Sequence, residues 1–164
     1  MIRVKFIEFK NSAAGIKDMI IKSYEENIMT DKNFQIIDIT EKVEEFIKES
    51  KVIEGIVTIT TKHTTTAIRI NENEPLLFKD IESHVESLVA CEGHNHDMIE
   101  KRTNCPPDEP KNAHSHLKAL LMGASETMPI KDGRASLGKW QHILFIELDG
   151  PRERTYTVVV IGKG

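Results

Sequence analysis

The chain is short of the residues that staple a small fold, cross a membrane or grip nucleic acid. Its 164 residues include two cysteines, Cys91 and Cys105, too few for a disulfide framework. Aromatic residues make up 5% of the chain and Trp140 is the single tryptophan. No stretch interleaves them with basic residues as a nucleic-acid stacking platform does. Apolar runs such as Thr157 to Ile161 fall far below the roughly 20 residues that span a bilayer. The opening Met1-Ile-Arg-Val-Lys-Phe lacks the uninterrupted apolar region of a signal peptide. Neither a glycine-rich phosphate loop nor a dense acidic cluster for Mg²⁺ is present. Lys and Arg number 22 against 26 Asp and Glu, a formal charge of −4, which disfavours general binding to nucleic acid or to a membrane surface. These absences lead to the expectation of a soluble, cytoplasmic protein without nucleic-acid or membrane partners.

A chain of this length can bury a sizeable core without disulfides or metal. Val4, Phe6 and Phe9 suggest an opening strand. Ile16, Ile20, Tyr24 and Ile28 recur every four positions, and this spacing predicts an amphipathic helix from 16 to 28. A strand follows from Asn33 to Ile39, then a helix capped by Asp38 or Thr40 with Val43, Phe46 and Ile47 inward. Ile56 to Thr61 and Thr66 to Ile70 are rich in β-branched residues and read as strands. Pro75 opens a helix whose buried stripe is Leu77, Ile81, Val85 and Leu88, with His84 inside it as a core histidine. Cys91 to Pro110 reads as a long loop. A short helix from Ser115 to Met122 turns Leu117, Leu120 and Leu121 inward and stops at Gly123. Strands around Met128, from His142 to Leu148 and from Thr155 to Ile161 close the chain. Strict strand–helix alternation is absent, so the fold class is α+β with a mixed or antiparallel, sandwich-like sheet. We expect one domain over 1–164, with a core from 33 to 162 and an extension over 1–32 made of a strand plus a helix.

Seven histidines carry most of the chemical signal. His63 lies between two strands, followed by Thr64, Thr65 and Thr66. Such hydroxyls beside exposed amides can cradle an oxyanion, with the imidazole adding a proton or charge. The same residues also suit an ordinary Thr-rich strand edge. Glu72 is the nearby carboxylate, either an acid–base partner of His63 or a cap on the following helix. His94-Asn-His96-Asp97 and His114-Ser-His116 bracket the long loop. Imidazoles from separate segments suit a divalent ion, Zn²⁺ or Mg²⁺. His63, His96 and His116 form one ligand set, with His114 an open fourth member and Asp97 a carboxylate that orients a ring. Residues of an H-x-H pair sit about 200° apart on a helix, so His114 and His116 share an ion only if the chain is extended there. Gly133 to Gln141 forms a tight turn, with Trp140 and Gln141 able to contact a ligand, and Arg152 in the 149–154 turn can meet a phosphate.

In order along the chain, Asp38-Ile-Thr40, His63-Thr-Thr-Thr-Ala-Ile, Asn71-Glu72, His96-Asp97, Asn112-Ala-His-Ser-His-Leu, Leu137-Gly-Lys-Trp-Gln and Asp149-Gly-Pro-Arg-Glu-Arg resemble the YjbQ-like family. Its members include proteins described as secondary thiamine-phosphate synthases. The resemblance implies a sandwich-like α+β fold, a homotrimer and a polar pocket around His63, His96 and His116. It implies joining of a pyrimidine pyrophosphate to a thiazole phosphate with release of pyrophosphate, a transferase activity on a small phosphorylated substrate. A metal- or anion-binding role apart from thiamine synthesis is the alternative. Lys139 stands where the family usually has Thr, and the segment from Asp97 to Lys111 is longer than usual.

Overall fold

The computed structural model describes residues 19–164 and, as backbone, residues 3–6. The predicted strand beyond Phe6 and the first residues of the predicted helix, up to 18, lie outside the described residues. β1 (Arg3–Phe6), β2 (Met19–Met29), β3 (Gln35–Asp38) and α1 (Thr40–Ser50) come first, followed by β4 (Glu54–Thr61), β5 (Thr66–Asn71) and α2 (Pro75–Leu88). A 3₁₀ segment (Asn95–Lys101), α3 (Ala113–Met122), β6 (Ser125–Lys131), β7 (Arg134–Ala135), β8 (His142–Glu147) and β9 (Glu153–Lys163) complete the chain.

One sheet has six strands in the order β1-β2-β9-β4-β6-β7, and the other has three in the order β3-β8-β5. Every pairing in both is antiparallel, which settles the mixed-or-antiparallel expectation. β9 is the spine of the larger sheet. Its inward residues Arg154, Tyr156, Val158, Val160 and Gly162 are buried and alternate with more exposed neighbours, the period of a strand with one face in a core. Gly55 and Gly162 face each other across β4 and β9. A Cβ on Gly55 would lie 2.1 Å from the Ile161 carbonyl oxygen, and one on Gly162 2.2 Å from that of Glu54, so only glycine permits this close approach.

The inner core joins Tyr24, Val57, Ile59, Tyr156, Val158 and Val160 of the large sheet to Ile68, Ile143 and Phe145 of the small one, with Val43, Phe46 and Ile47 from α1. Phe46 stacks on Tyr24 with ring centroids 4.5 Å apart. Alternation along β8 sends Leu144 and Ile146 to the opposite face, where they meet Val85 of α2 and Ala119 of α3. The layers are therefore sheet, sheet, helices. The N-cap position of α1 is Ile39, which offers no side-chain cap, and Asp38 just before it accepts the Thr40 backbone N–H on Oδ1 at 2.9 Å.

Three sequence expectations change. The segment predicted as a helix from 16 to 28 is, over its described residues, the strand β2, all eleven of whose residues pair with β9. A repeat of four is also a multiple of two, so Ile20, Tyr24 and Ile28 share one face of a strand as readily as one of a helix. Charged Lys22 and Glu26 between them masked the alternation. His84 is exposed, since α2 buries Val85 and half-buries Phe78 and Ile81. On α3 the inward face is Ala113, Ser115, Lys118 and Ala119, while Leu120 is 79% exposed. Lys118, 2% exposed, is held by an ion pair with Glu86 of α2, and small residues allow the helix to lie close on the sheet.

Candidate functional site

Alternation along β8 also points Glu147 inward, toward Arg154 on the facing strand of the other sheet. Glu147 is fully buried. The Arg154 guanidinium meets it bidentately, Nε to Oε2 and Nη2 to Oε1, both at 2.6 Å. Oε1 also accepts the backbone N–H groups of Leu148 at 3.0 Å and Asp149 at 2.9 Å, and Oε2 accepts the Thr30 hydroxyl at 3.0 Å. Burial opposes ionisation of this carboxyl, yet the hydrogen bonds from Arg154, Asp149 and Thr30 hold it below the ordinary glutamate range. Arg154 Nη2 in addition donates to Thr65 Oγ1 at 3.0 Å, and so fixes the β4–β5 turn.

Above this pair lies a pocket of about 220 Å³. Thr64 and Thr65 line it from the β4–β5 turn, His96 from the 3₁₀ segment, and Asn112 and His116 from the start of α3. Asp149 and Arg152 line it from the β8–β9 turn, with Glu109 and Pro110 at its rim. The start of α3 is anchored here because Ser115 Oγ donates to the Leu148 carbonyl at 2.6 Å. Asn112 Nδ2 and Arg152 Nη2 both donate to Asp149 Oδ2, at 2.6 and 2.8 Å. Asn112 is the N-cap residue of α3 but makes no side-chain cap hydrogen bond; its backbone carbonyl accepts the Ser115 and His116 N–H groups at 3.0 and 3.3 Å.

The His96 and His116 rings stand edge to face with centroids 5.2 Å apart. Burial first, and then the neighbouring His96, hold His116 below the ordinary imidazole range. Both rings also line an adjoining recess of about 410 Å³ with His94, Asn95, Ala113 and Leu117. His63 is oriented differently. Its Nε2 accepts the Thr155 backbone N–H at 2.8 Å, which places the ring proton on Nδ1. Burial and the Arg154 guanidinium keep it neutral by lowering its pKa.

The expected metal set of His63, His96, His116 and His114 does not assemble. Among the described residues, no three His, Cys, Asp or Glu side chains are grouped to hold a metal ion. The lone pair of His63 Nε2 is spent on Thr155. The helical start of α3 sends His114 away from His116, and His114 lines neither recess. The histidine metal cluster is thus corrected to a two-ring imidazole pair.

Other sequence candidates are dispersed. Asp97 Oδ2 accepts the His94 backbone N–H at 3.0 Å and caps the 3₁₀ segment. Glu72 is exposed and outside the pocket, and the α2 cap is Glu74, which accepts the N–H groups of Leu76 and Leu77 at 2.8 and 2.7 Å. Trp140 is 62% exposed, with Lys139 Nζ 4.6 Å from its ring centroid. Gln141 Oε1 accepts the Gly138 N–H at 2.7 Å, and Gln141 lines a separate cleft of about 820 Å³ beside α1. Sequence reasoning gave no role to Asn112, Glu147 or Asp149, and read the arginines of the 149–154 turn as able either to meet phosphate or to pair with acids, the second of which Arg154 does. Charged residues on the inward phase of two strands are the signal that would have found Glu147 and Arg154.

A two-sheet antiparallel sandwich with helices over the small sheet, and a polar imidazole–arginine pocket at its edge, defines the class of protein. The family model for "UPF0047 protein YjbQ-like" matches residues 24–163, and the chain belongs to this family. It is 40% identical over 146 residues to a UPF0047 protein of Methanothermobacter thermautotrophicus, covering 88% of this chain and 95% of that one. It is 43% identical over 132 residues to one of Archaeoglobus fulgidus, covering 80% and 94%. Among solved structures, a YbjQ-like protein of unknown function from Sulfolobus solfataricus superposes with a TM-score of 0.80 at 33% identity, over 88% of this chain and 99% of that one. A hypothetical protein from Aeropyrum pernix gives 0.76 at 35% identity, over 86% and 98%. These comparisons bear out the family and the fold. They correct the activity: none of the four is described as a thiamine-phosphate synthase or a transferase, and the metal-dependent chemistry loses its ligand set.

His63 and His116 both bind protons less readily folded than unfolded, where the imidazole pKa is about 6.5. The unfolded chain then holds more protons just below that pH, so stability falls as pH drops through about 6.5 toward the depressed folded values. Urea unfolding at pH 7.5 and 5.5 is expected to show this loss, and a His63→Asn, His116→Gln double variant to show a flatter pH dependence. Equal slopes in the two proteins would contradict the assignment. Glu147 joins the loss only below about pH 4.3.

Proposed function

We propose that the pocket binds a small phosphorylated molecule and that His96 and His116 transfer a proton on it. The observation carrying this reading is the convergence of the Thr64–Thr65 turn, Arg152 and the imidazole pair on one small pocket. Hydroxyls and guanidinium groups favour oxyanions. Arg154 is buried against Glu147, whereas Arg152, paired with Asp149 but 43% exposed at its side chain, is the cation placed to meet the ligand. His116, held neutral chiefly by its burial, can accept a proton from the bound molecule, and the His96 ring stands beside it. Cys91 and Cys105 are free, which supports a reducing, cytoplasmic compartment. No helix among the described residues is long and apolar enough to cross a membrane.

Titration with inorganic phosphate is expected to shift the ring signals of His96 and His116 and the amide signals of Thr64 and Thr65, leaving His142 in place. Arg152→Ala should weaken that binding about tenfold, the worth of one charge-assisted hydrogen bond. Shifts confined to other surfaces, or undiminished in Arg152→Ala, would contradict the reading.

We also propose a homotrimer, supported by Leu120 and Leu121 standing 79% and 64% exposed on one face of α3, since an apolar patch of this kind marks a contact surface. Light scattering is expected to give three times the chain mass of 18.6 kDa, and Leu120→Asp to lower it. A monomer mass for the unaltered chain would contradict this.

A further inference from the structure

The pocket that is proposed to take the phosphate is not a purely cationic one. Arg152 is balanced by Asp149 and Arg154 by Glu147. Glu109, paired with Arg102, adds a further carboxylate at the rim. A bare anion here therefore meets hydrogen-bond donors but little net positive charge.

Asn112 carries a second, independent sign. It lines the pocket and is 5% exposed. Its Nδ2 is fixed by donation to Asp149 Oδ2 at 2.6 Å, which assigns the amide orientation and leaves Oδ1 as the other end. That oxygen is buried and has no hydrogen-bond partner among the described residues. A buried acceptor without a donor is costly, and in native proteins such a group calls for an explanation. The residue type sharpens the point. Asparagine is among the best N-caps, yet this one stands at the α3 N-cap position and does not cap.

We infer that the ligand is a phosphomonoester bearing a hydrogen-bond donor, a hydroxyl or an amine, on a carbon close to the phosphate, and that Asn112 accepts from that donor. The inference rests on the phosphate-binding reading. In it, the Thr64–Thr65 turn and Arg152 hold the phosphate, while Asn112 Oδ1 receives the donor. The pocket's 220 Å³ holds on the order of seven water-sized groups, enough for a phosphate and a two-carbon arm. The site thereby distinguishes such a molecule from inorganic phosphate and from simple alkyl phosphates.

The test compares ethyl phosphate, 2-hydroxyethyl phosphate and 2-aminoethyl phosphate on the full chain by calorimetry. At least one donor-bearing compound is expected to bind about tenfold more tightly than ethyl phosphate. Whichever of the two does so identifies the donor as hydroxyl or amine. In Asn112→Ala the ratio between that compound and ethyl phosphate should collapse toward one. Equal binding of all three compounds to the unaltered chain overturns the inference and leaves the phosphate reading standing. A ratio that survives in Asn112→Ala overturns it too, because Asn112 would not be the acceptor. If none of the three nor inorganic phosphate binds, the phosphate reading falls and this inference with it. Should Asn112→Ala fail to fold, Asn112→Ser supplies the variant, and the comparison on the unaltered chain decides without either.

Discussion

Among the described residues two ion pairs cross from one sheet to the other, and of these Glu147–Arg154 is the buried one while Arg69–Glu126 is partly exposed. Glu147 and Arg154 project from β8 and β9 into the space between the layers, and each satisfies the other bidentately. A buried charge alone would be ruinous in such a place, and even a paired one is not a simple gain in stability. What this pair contributes is placement. Through Thr65, Thr30 and the Leu148 and Asp149 amides it ties the β4–β5 turn, the end of β2 and the β8–β9 turn to one point. Those turns are the walls of the pocket.

The same pair sets the electrostatics of that pocket. Because Arg154 is neutralised from below, its charge does not flood the site, although it still keeps His63 from protonating. His63 then serves as an acceptor for the β9 backbone, a structural duty for a residue whose surroundings suggested catalysis. The imidazole pair to which we assign proton transfer is carried by the 3₁₀ segment and α3, outside the sheets.

Much of this was legible in the sequence. The β-branched stretches of β4 and β5, the alternation in β9 and the Pro75 helix start each agree with local propensity, and the ordered short motifs located the family. What was not legible has physical causes. A four-residue repeat could not distinguish β2 from a helix. The α3 leucines looked inward because hydrophobicity suggests burial, whereas Ala, Ser and a paired Lys118 let the helix approach the sheet. The histidines attracted a metal hypothesis because spacing in the chain says nothing about lone pairs, and the lone pair on His63 Nε2 belongs to Thr155. Glu147 was hidden at the end of the apolar run Ile143 to Ile146, where its charge should have drawn notice, and Arg154 in a turn-like polar stretch whose last residue opens the inward phase of β9.

The dependence of fold and pocket on the cross-sheet pair is tested most directly by a double-mutant cycle with Glu147→Gln and Arg154→Met, read by urea unfolding. Each single change leaves a buried group without its partner and is expected to cost about 3–5 kcal/mol, with the double variant close to either single one. Single losses below about 1 kcal/mol, or losses that simply add, would mean that the two side chains are incidental neighbours and that something else holds the sheets and the pocket together.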